Sequence, residues 1–212
     1  MGIPSPWLSY HDPRVPIELA RRLCLISTSS PTSIQEILAP ITTIKSYSSG
    51  WLHILGGDGQ LSFQYPGSTP TPVHDVPNLF VTGAVREFHL NFHTLDPGGC
   101  YLSRPLERLP ALEALVLSEM RLPSGSLSAL TKELILCPSL KTIAFFDCVV
   151  NSYTIKELEW IQAKRRDSTA AQLYRVVIVN NTNTLPDLQL IHWLRKFVPR
   201  VDIGVGKLPD LL

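Results

Sequence analysis

No stretch of about 18 apolar residues occurs anywhere in the chain, so nothing in it is laid out to cross a membrane as a helix. Met1 to Trp7 lacks the basic segment and following apolar run of a secretion signal. The four cysteines, Cys24, Cys100, Cys137 and Cys148, form no C-x-x-C pair, which argues against a disulfide framework or a cysteine metal site. These absences together point to an intracellular chain, cytoplasmic or nuclear. Charge is scarce as well: charged residues make up 17 % of the chain and the net charge is +1, so neither nucleic acid nor an anionic membrane is an expected partner. The single basic run, Lys164-Arg165-Arg166, reads as a solvated helix end that complements a helix dipole.

Motifs for catalysis are missing too. There is no G-x-S-x-G, and nothing orders the Ser, His and Asp residues into a triad. Gly56-Gly57-Asp58-Gly59 lacks the lysine and spacing of a phosphate loop and reads as a turn. His89 and His93 lie four apart, but in a strand-to-loop segment with no third ligand nearby, so they do not form a metal-binding face. No metal and no cofactor is expected, and an enzyme, a small hydrolase or transferase on an α/β fold, is only the alternative class.

What the chain does have is a recurring strand pattern. The leucine-rich-repeat template L-x-x-L-x-L-x-x-N/C-x-L fits Leu112, Leu115, Leu117, Met120 and Leu122, and again Leu140, Ile143, Phe145, Cys148 and Val150, where the Cys stands in its own position. Leu173, Val176, Ile178 and Asn181 fit in part. So do Val198, Val201, Ile203, Gly206 and Leu208, and upstream Val85, Phe88, Leu90, His93 and Leu95. First positions are spaced by 27 (Val85 to Leu112), 28 (Leu112 to Leu140), 33 (Leu140 to Leu173) and 25 (Leu173 to Val198).

Between these strands lie apolar stripes at helical spacing. Leu127, Leu130 and Leu134 follow a cap at Ser124 or Ser126; Ile155, Leu158 and Ile161 follow one near Ser152 or Thr154; Leu188, Ile191, Leu194 and Phe197 follow Thr184 and stop at Pro199. Trp160 and Trp193 read as packing residues on these helices. Alternating strand and helix imply parallel strands with right-handed crossovers. The expected fold is therefore α/β: a leucine-rich-repeat-like solenoid with a parallel sheet, helices on its convex side and an irregular N-terminal end.

Residues 1–50 read as an irregular N-terminal segment with short helices at 16–26 and 33–38, the second opened by a capping box of Ser33 and Glu36. Residues 51–212 read as the repeat-like domain, with a Pro-rich loop at 66–77. The stretch 51–65 reads as two short strands around the glycine turn, the second of them a degenerate first repeat.

The runs Leu109 to Pro123, Leu136 to Cys148, Ala163 to Val179 and Leu185 to Ile203 give the last 130 or so residues a texture that resembles the C-terminal leucine-rich-repeat-like region of fungal F-box proteins. The resemblance implies repeats that hold a substrate for ubiquitination, beside an F-box that docks on the adaptor of a cullin-RING ligase. Val15-Pro16-Ile17-Glu18-Leu19 is similar to an F-box opening, yet Ser27 to Ser33 break the helices that should follow. The ligase adaptor is thus an expected partner only if an F-box is supplied elsewhere, and the expected function is a non-catalytic protein-interaction module.

Strand alternation assigns its candidate surface. Opposite the core-facing residues stand Glu87, His89 and Asn91; Ala114, Val116 and Ser118; Thr142, Ala144 and Phe146; Arg175, Val177 and Val179; Arg200 and Asp202. The patch is apolar in the middle and charged at its flanks, the zoning of a binding surface. The continuously apolar strand cores leave two possibilities, an exposed apolar patch or one that another segment covers; partial exposure is the expectation, with the N-terminal segment at the end of the array.

Overall fold

The computed structural model describes residues 41–46, 51–56, 59–64, 83–91, 102, 106–118, 122, 124–131, 136–180, 187–207 and 209–211. Runs of five or six residues, most of them rich in β-branched, leucine and phenylalanine side chains, form strands β1 (Ile41–Ser46), β2 (Trp51–Gly56), β3 (Gly59–Gln64), β4 (Glu87–Asn91), β5 (Ala114–Ser118), β6 (Thr142–Phe146), β7 (Arg175–Asn180) and β8 (Arg200–Val205). They make one eight-stranded sheet in the order β3-β2-β1-β4-β5-β6-β7-β8. From β1 through β4 to β8 each neighbouring pair is parallel, while β2 and β3 add an antiparallel hairpin at one edge. The molecule is α/β, and among the described residues the helices given in full are α1 (Ser152–Arg166) after β6 and α2 (Leu188–Leu194) after β7, with a 3-10 helix (Ser128–Thr131) after β5.

The register sets like-placed apolar residues of successive parallel strands side by side. Phe88, Leu115, Ile143, Val176 and Val201 form one transverse row, and Leu90, Leu117, Phe145, Ile178 and Ile203 the next. The turns leading into the strands repeat as faithfully. Arg86 O accepts from Glu113 N, Glu113 O from Lys141 N, and Lys141 O from Tyr174 N, at 2.8–2.9 Å. One sheet face packs its Leu, Ile, Val and Phe residues against Leu127 and Leu130, against Ile155, Leu158 and Ile161 of α1, and against Leu194 and Val198, and this is the main core.

Polar side chains on α1 tie these layers together. The Glu157 carboxylate accepts from Gly125 N and, at 3.0 Å, from Leu127 N, capping the turn that opens the 3-10 helix. Gln162 bonds both Leu173 backbone groups, N–H and C=O, and also donates to Phe197 O. Arg165 donates to the carbonyls of Leu136, Cys137, Leu140 and Ala171 at 2.8–3.2 Å while only 1 % exposed. Cys148 Sγ donates to Leu117 O at 3.1 Å, joining the end of one strand to the strand before it.

Several expectations are corrected. Arg165 is not part of a solvated helix end: it continues the buried stripe Thr154, Ile155, Leu158, Ile161 and Gln162, because three- and four-residue steps return it to the core side. The segment β1, within the stretch expected to be irregular, is a strand, and the four consecutive β-branched residues Ile41 to Ile44 supply the local preference. The second strand of the hairpin is not a degenerate first repeat but an antiparallel edge strand, separated from β4 by β2 and β1. Between β5 and β6 the 3-10 helix is described, while residues 132–135 of the expected helical stripe lie outside the described residues. Trp160 is 55 % and Leu188 79 % exposed, so neither packs as expected, whereas Trp193 does pack against the core. The helices at 16–26 and 33–38, the loop 66–77, Leu134 of the helical stripe and the repeat positions His93, Leu95, Met120, Asn181 and Leu208 lie outside the described residues.

Candidate functional site

The sheet's second face carries the candidate residues in three transverse rows, because in-register parallel pairing places every second residue of each strand on it. The first row runs Thr43, Glu87, Ala114, Thr142, Arg175, Arg200; the second Lys45, His89, Val116, Ala144, Val177, Asp202; the third Asn91, Ser118, Phe146, Val179, Gly204. All the residues singled out from the sequence therefore stand at positions of one face. For Asn91 the strand position is described and the side chain is not.

At the β1/β4 end, Lys45 Nζ lies 3.5 Å from Glu87 Oε1, and the His89 imidazole is hydrogen-bonded to the same carboxylate oxygen. The bond from His89, aided by Lys45, holds the Glu87 carboxyl below the usual range against the opposing pull of burial. Burial pushes His89 below its ordinary value, and Glu87 offsets part of that. At the β7/β8 end, Asp202 takes Arg175 Nε at 2.6 Å and Arg200 Nε at 3.1 Å. Burial alone raises the Asp202 carboxyl, but the two arginine bonds outweigh it and the net direction is down.

Between these polar ends the face is aliphatic and closed to water. Ala114, Val116, Ala144 and Val177 have no exposure, Val179 is buried, and Phe146 is half-buried against them. Thr142 and Arg175 are buried as well, Ser118 is half-buried and Arg200 is exposed. This overturns the expectation of a partly open apolar centre. The physical reason visible among the described residues is the returning C-terminal segment: Leu211 packs into this cluster, and Arg175 Nη1 donates to Asp210 O at 2.6 Å. Phe146 and the charged ends remain reachable.

No family model, curated protein or solved structure matches the chain. The site's character therefore rests on its own geometry. Among the described residues no group of three or more His, Cys, Asp and Glu is placed to hold a metal ion, and no helix is long and apolar enough to cross a membrane. The face offers oriented ionic groups at both ends and an aliphatic floor.

Three members of the site went unseen in the sequence. Lys45 joins it only because β1 pairs with β4, and that strand was not anticipated. Asp210 and Leu211 join it because Gly206, at φ +95°, bonds Asn180 O at 3.1 Å as the chain leaves β8. The short run Leu208-Pro209-Asp210-Leu211-Leu212 carries no sustained strand or helix period that could have placed Leu211.

Proposed function

We propose that the sheet is the parallel layer of a leucine-rich-repeat-like solenoid, and that the protein is a non-catalytic protein-interaction module. It resembles in this the substrate-recognition repeats of F-box proteins. The observation that carries the reading is the zoning of the second face: an ionic cluster of Lys45, Glu87 and His89, an aliphatic centre, and a second ionic cluster of Arg175, Arg200 and Asp202, set out in register across six strands. The recurrence of the strand pattern at spacings of 27, 28, 33 and 25 residues, and of the turn bond accepted by Arg86 O, Glu113 O and Lys141 O, supports the solenoid part. The partner on this reading is a protein, and a ubiquitination substrate if the resemblance extends to function.

Affinity capture from the source cell tests it, with three baits compared quantitatively: the parent chain, Phe146→Asp, and Trp160→Ser on the exposed side of α1. Partners retained by Trp160→Ser and lost by Phe146→Asp are the expected result. Identical partner sets for the parent and Phe146→Asp would remove the second face as the binding surface. Recovery of a cullin-ligase adaptor with this chain alone would show that the docking function does not depend on an F-box supplied elsewhere.

A further inference from the structure

The second face already holds a peptide. After β8 the chain reverses and lays Leu211, only 8 % exposed, into the floor formed by Ala114, Val116, Ala144, Val177 and Val179. Two contacts do the holding among the described residues: the Leu211 side chain in that floor, and the Asp210 carbonyl on Arg175 Nη1. Pro209 and Asp210 are otherwise exposed, as is Lys207. Arg175 is a prepared donor, itself 9 % exposed and oriented by its second bond, Nε to Asp202. A guanidinium that takes a main-chain carbonyl reads no side chain, so the selectivity resides in the aliphatic floor that takes the next residue.

We propose that this face is a docking groove for an extended peptide segment whose leucine-sized side chain follows a carbonyl taken by Arg175, and that residues 209–211 are an intramolecular occupant that such a partner displaces. The proposal rests on the protein-interaction reading above and adds the partner's chemistry and a means of regulation. The chain's own segment sets the template. A competitor must bring an aliphatic side chain into the floor and an accessible carbonyl one residue before it, in a segment without regular structure. An intramolecular occupant lowers apparent affinity by the fraction of time the groove is closed.

The test uses the full chain and a fluorescent synthetic peptide, Gly-Lys-Leu-Pro-Asp-Leu-Leu, which reproduces residues 206–212. Full-length Leu211→Ser, shown by circular dichroism to be folded, should bind the peptide at least about tenfold more tightly than the parent, since its own occupant is weakened. A peptide carrying serine at the place of Leu211 should bind neither protein. In the unmodified chain, saturating peptide should speed hydrogen exchange in residues 209–211, a readout that needs no variant to fold. Equal affinity of parent and Leu211→Ser, together with unchanged exchange on adding peptide, would overturn the proposal. If partner capture still depends on Phe146 in that case, the interaction reading stands and only the occupant is wrong; if Phe146→Asp changes nothing while the peptide binds as expected, the reverse holds.

Discussion

Arg165 shows how one residue changes the meaning of a motif. Three consecutive basic residues look like surface, yet the middle one is buried and its guanidinium fork satisfies four carbonyls in the turns before β6 and β7. Burial pushes its pKa down, while the adjoining Cys137 thiol is pushed up to about 12 by burial against the opposing effect of Arg165, so Cys137 stays a protonated, unreactive thiol. Arg165→Met fills much of the volume but strands those carbonyls. We expect it to lower the unfolding free energy by about 3 kcal/mol or more, with Arg165→Lys in between, read from urea midpoints. A loss under about 0.5 kcal/mol for Arg165→Met would mean that water replaces the guanidinium without cost. The position is legible in the sequence, since 155, 158, 161, 162 and 165 share one helical face, and the charge of the run masks that period. His89 gives a second expectation at this scale. Its folded value is depressed from 6.5 and it faces Glu87 and Lys45, so the unfolded chain binds the extra proton first as the pH falls. Stability from this group is present above about pH 6.5 and declines below it. Glu87 and Asp202, also depressed, add losses with the same sign at lower pH, below their ordinary values of 4.5 and 3.8. Thermal melts at pH 7.5, 6.5 and 5.5 should show a smaller decline for His89→Asn than for the parent; parallel declines would remove His89 as the source.

At the scale of elements, the parallel strands were legible and the helix boundaries less so. The strands repeat with a register that equates Phe88, Leu115, Ile143, Val176 and Val201, and a one-residue slip would turn each row from the core to the other face, so the apolar pattern determines pairing strongly. Caps are weaker signals because several small polar residues compete for each one. α1 begins after Asn151, whose side chain accepts from Tyr153 N and Thr154 N while Thr154 Oγ1 accepts from Asn151 N, one or more residues before the expected Ser152 or Thr154. Asn151→Ala should therefore cost about 1 kcal/mol in a urea titration, and Ser152→Ala a few tenths at most. The strand assignment has a larger consequence. Leu115→Ala, at a site with no exposure, should cost about 2 to 5 kcal/mol, and Glu113→Ala, whose ion pairs with Arg86 and Lys141 lie at the surface, under about 1 kcal/mol. Equal melting temperatures for the two variants would sink the assignment of faces.

At the scale of the whole molecule, the sheet does not respect the division that composition suggests. β1 lies between the edge hairpin and β4, its Ile44 has no exposure, and its Lys45 supplies part of the charged end of the second face. Composition could not show this, because residues 47–86 separate the two strands in sequence and a parallel pair leaves no turn signal between its members. Deleting residues 1–50 thus does more than remove an end segment. It takes out a core strand, leaves the β2–β3 hairpin without its hydrogen-bonded neighbour, and opens the backbone edge of β4. An unpaired parallel edge beside a fully apolar core invites association with other chains. The expected outcome is a lower urea midpoint and soluble aggregates by size-exclusion chromatography, accompanied by loss of the Lys45 contribution to Glu87. A variant that keeps β1 but carries Ile44→Asp separates the two effects, since it retains the backbone pairing while placing a charge in the core; it should lose stability by several kcal/mol yet aggregate less than the deletion. A deletion that leaves both the midpoint and the elution volume unchanged would show that β1 is not part of the cooperative sheet, and that the module begins at β4.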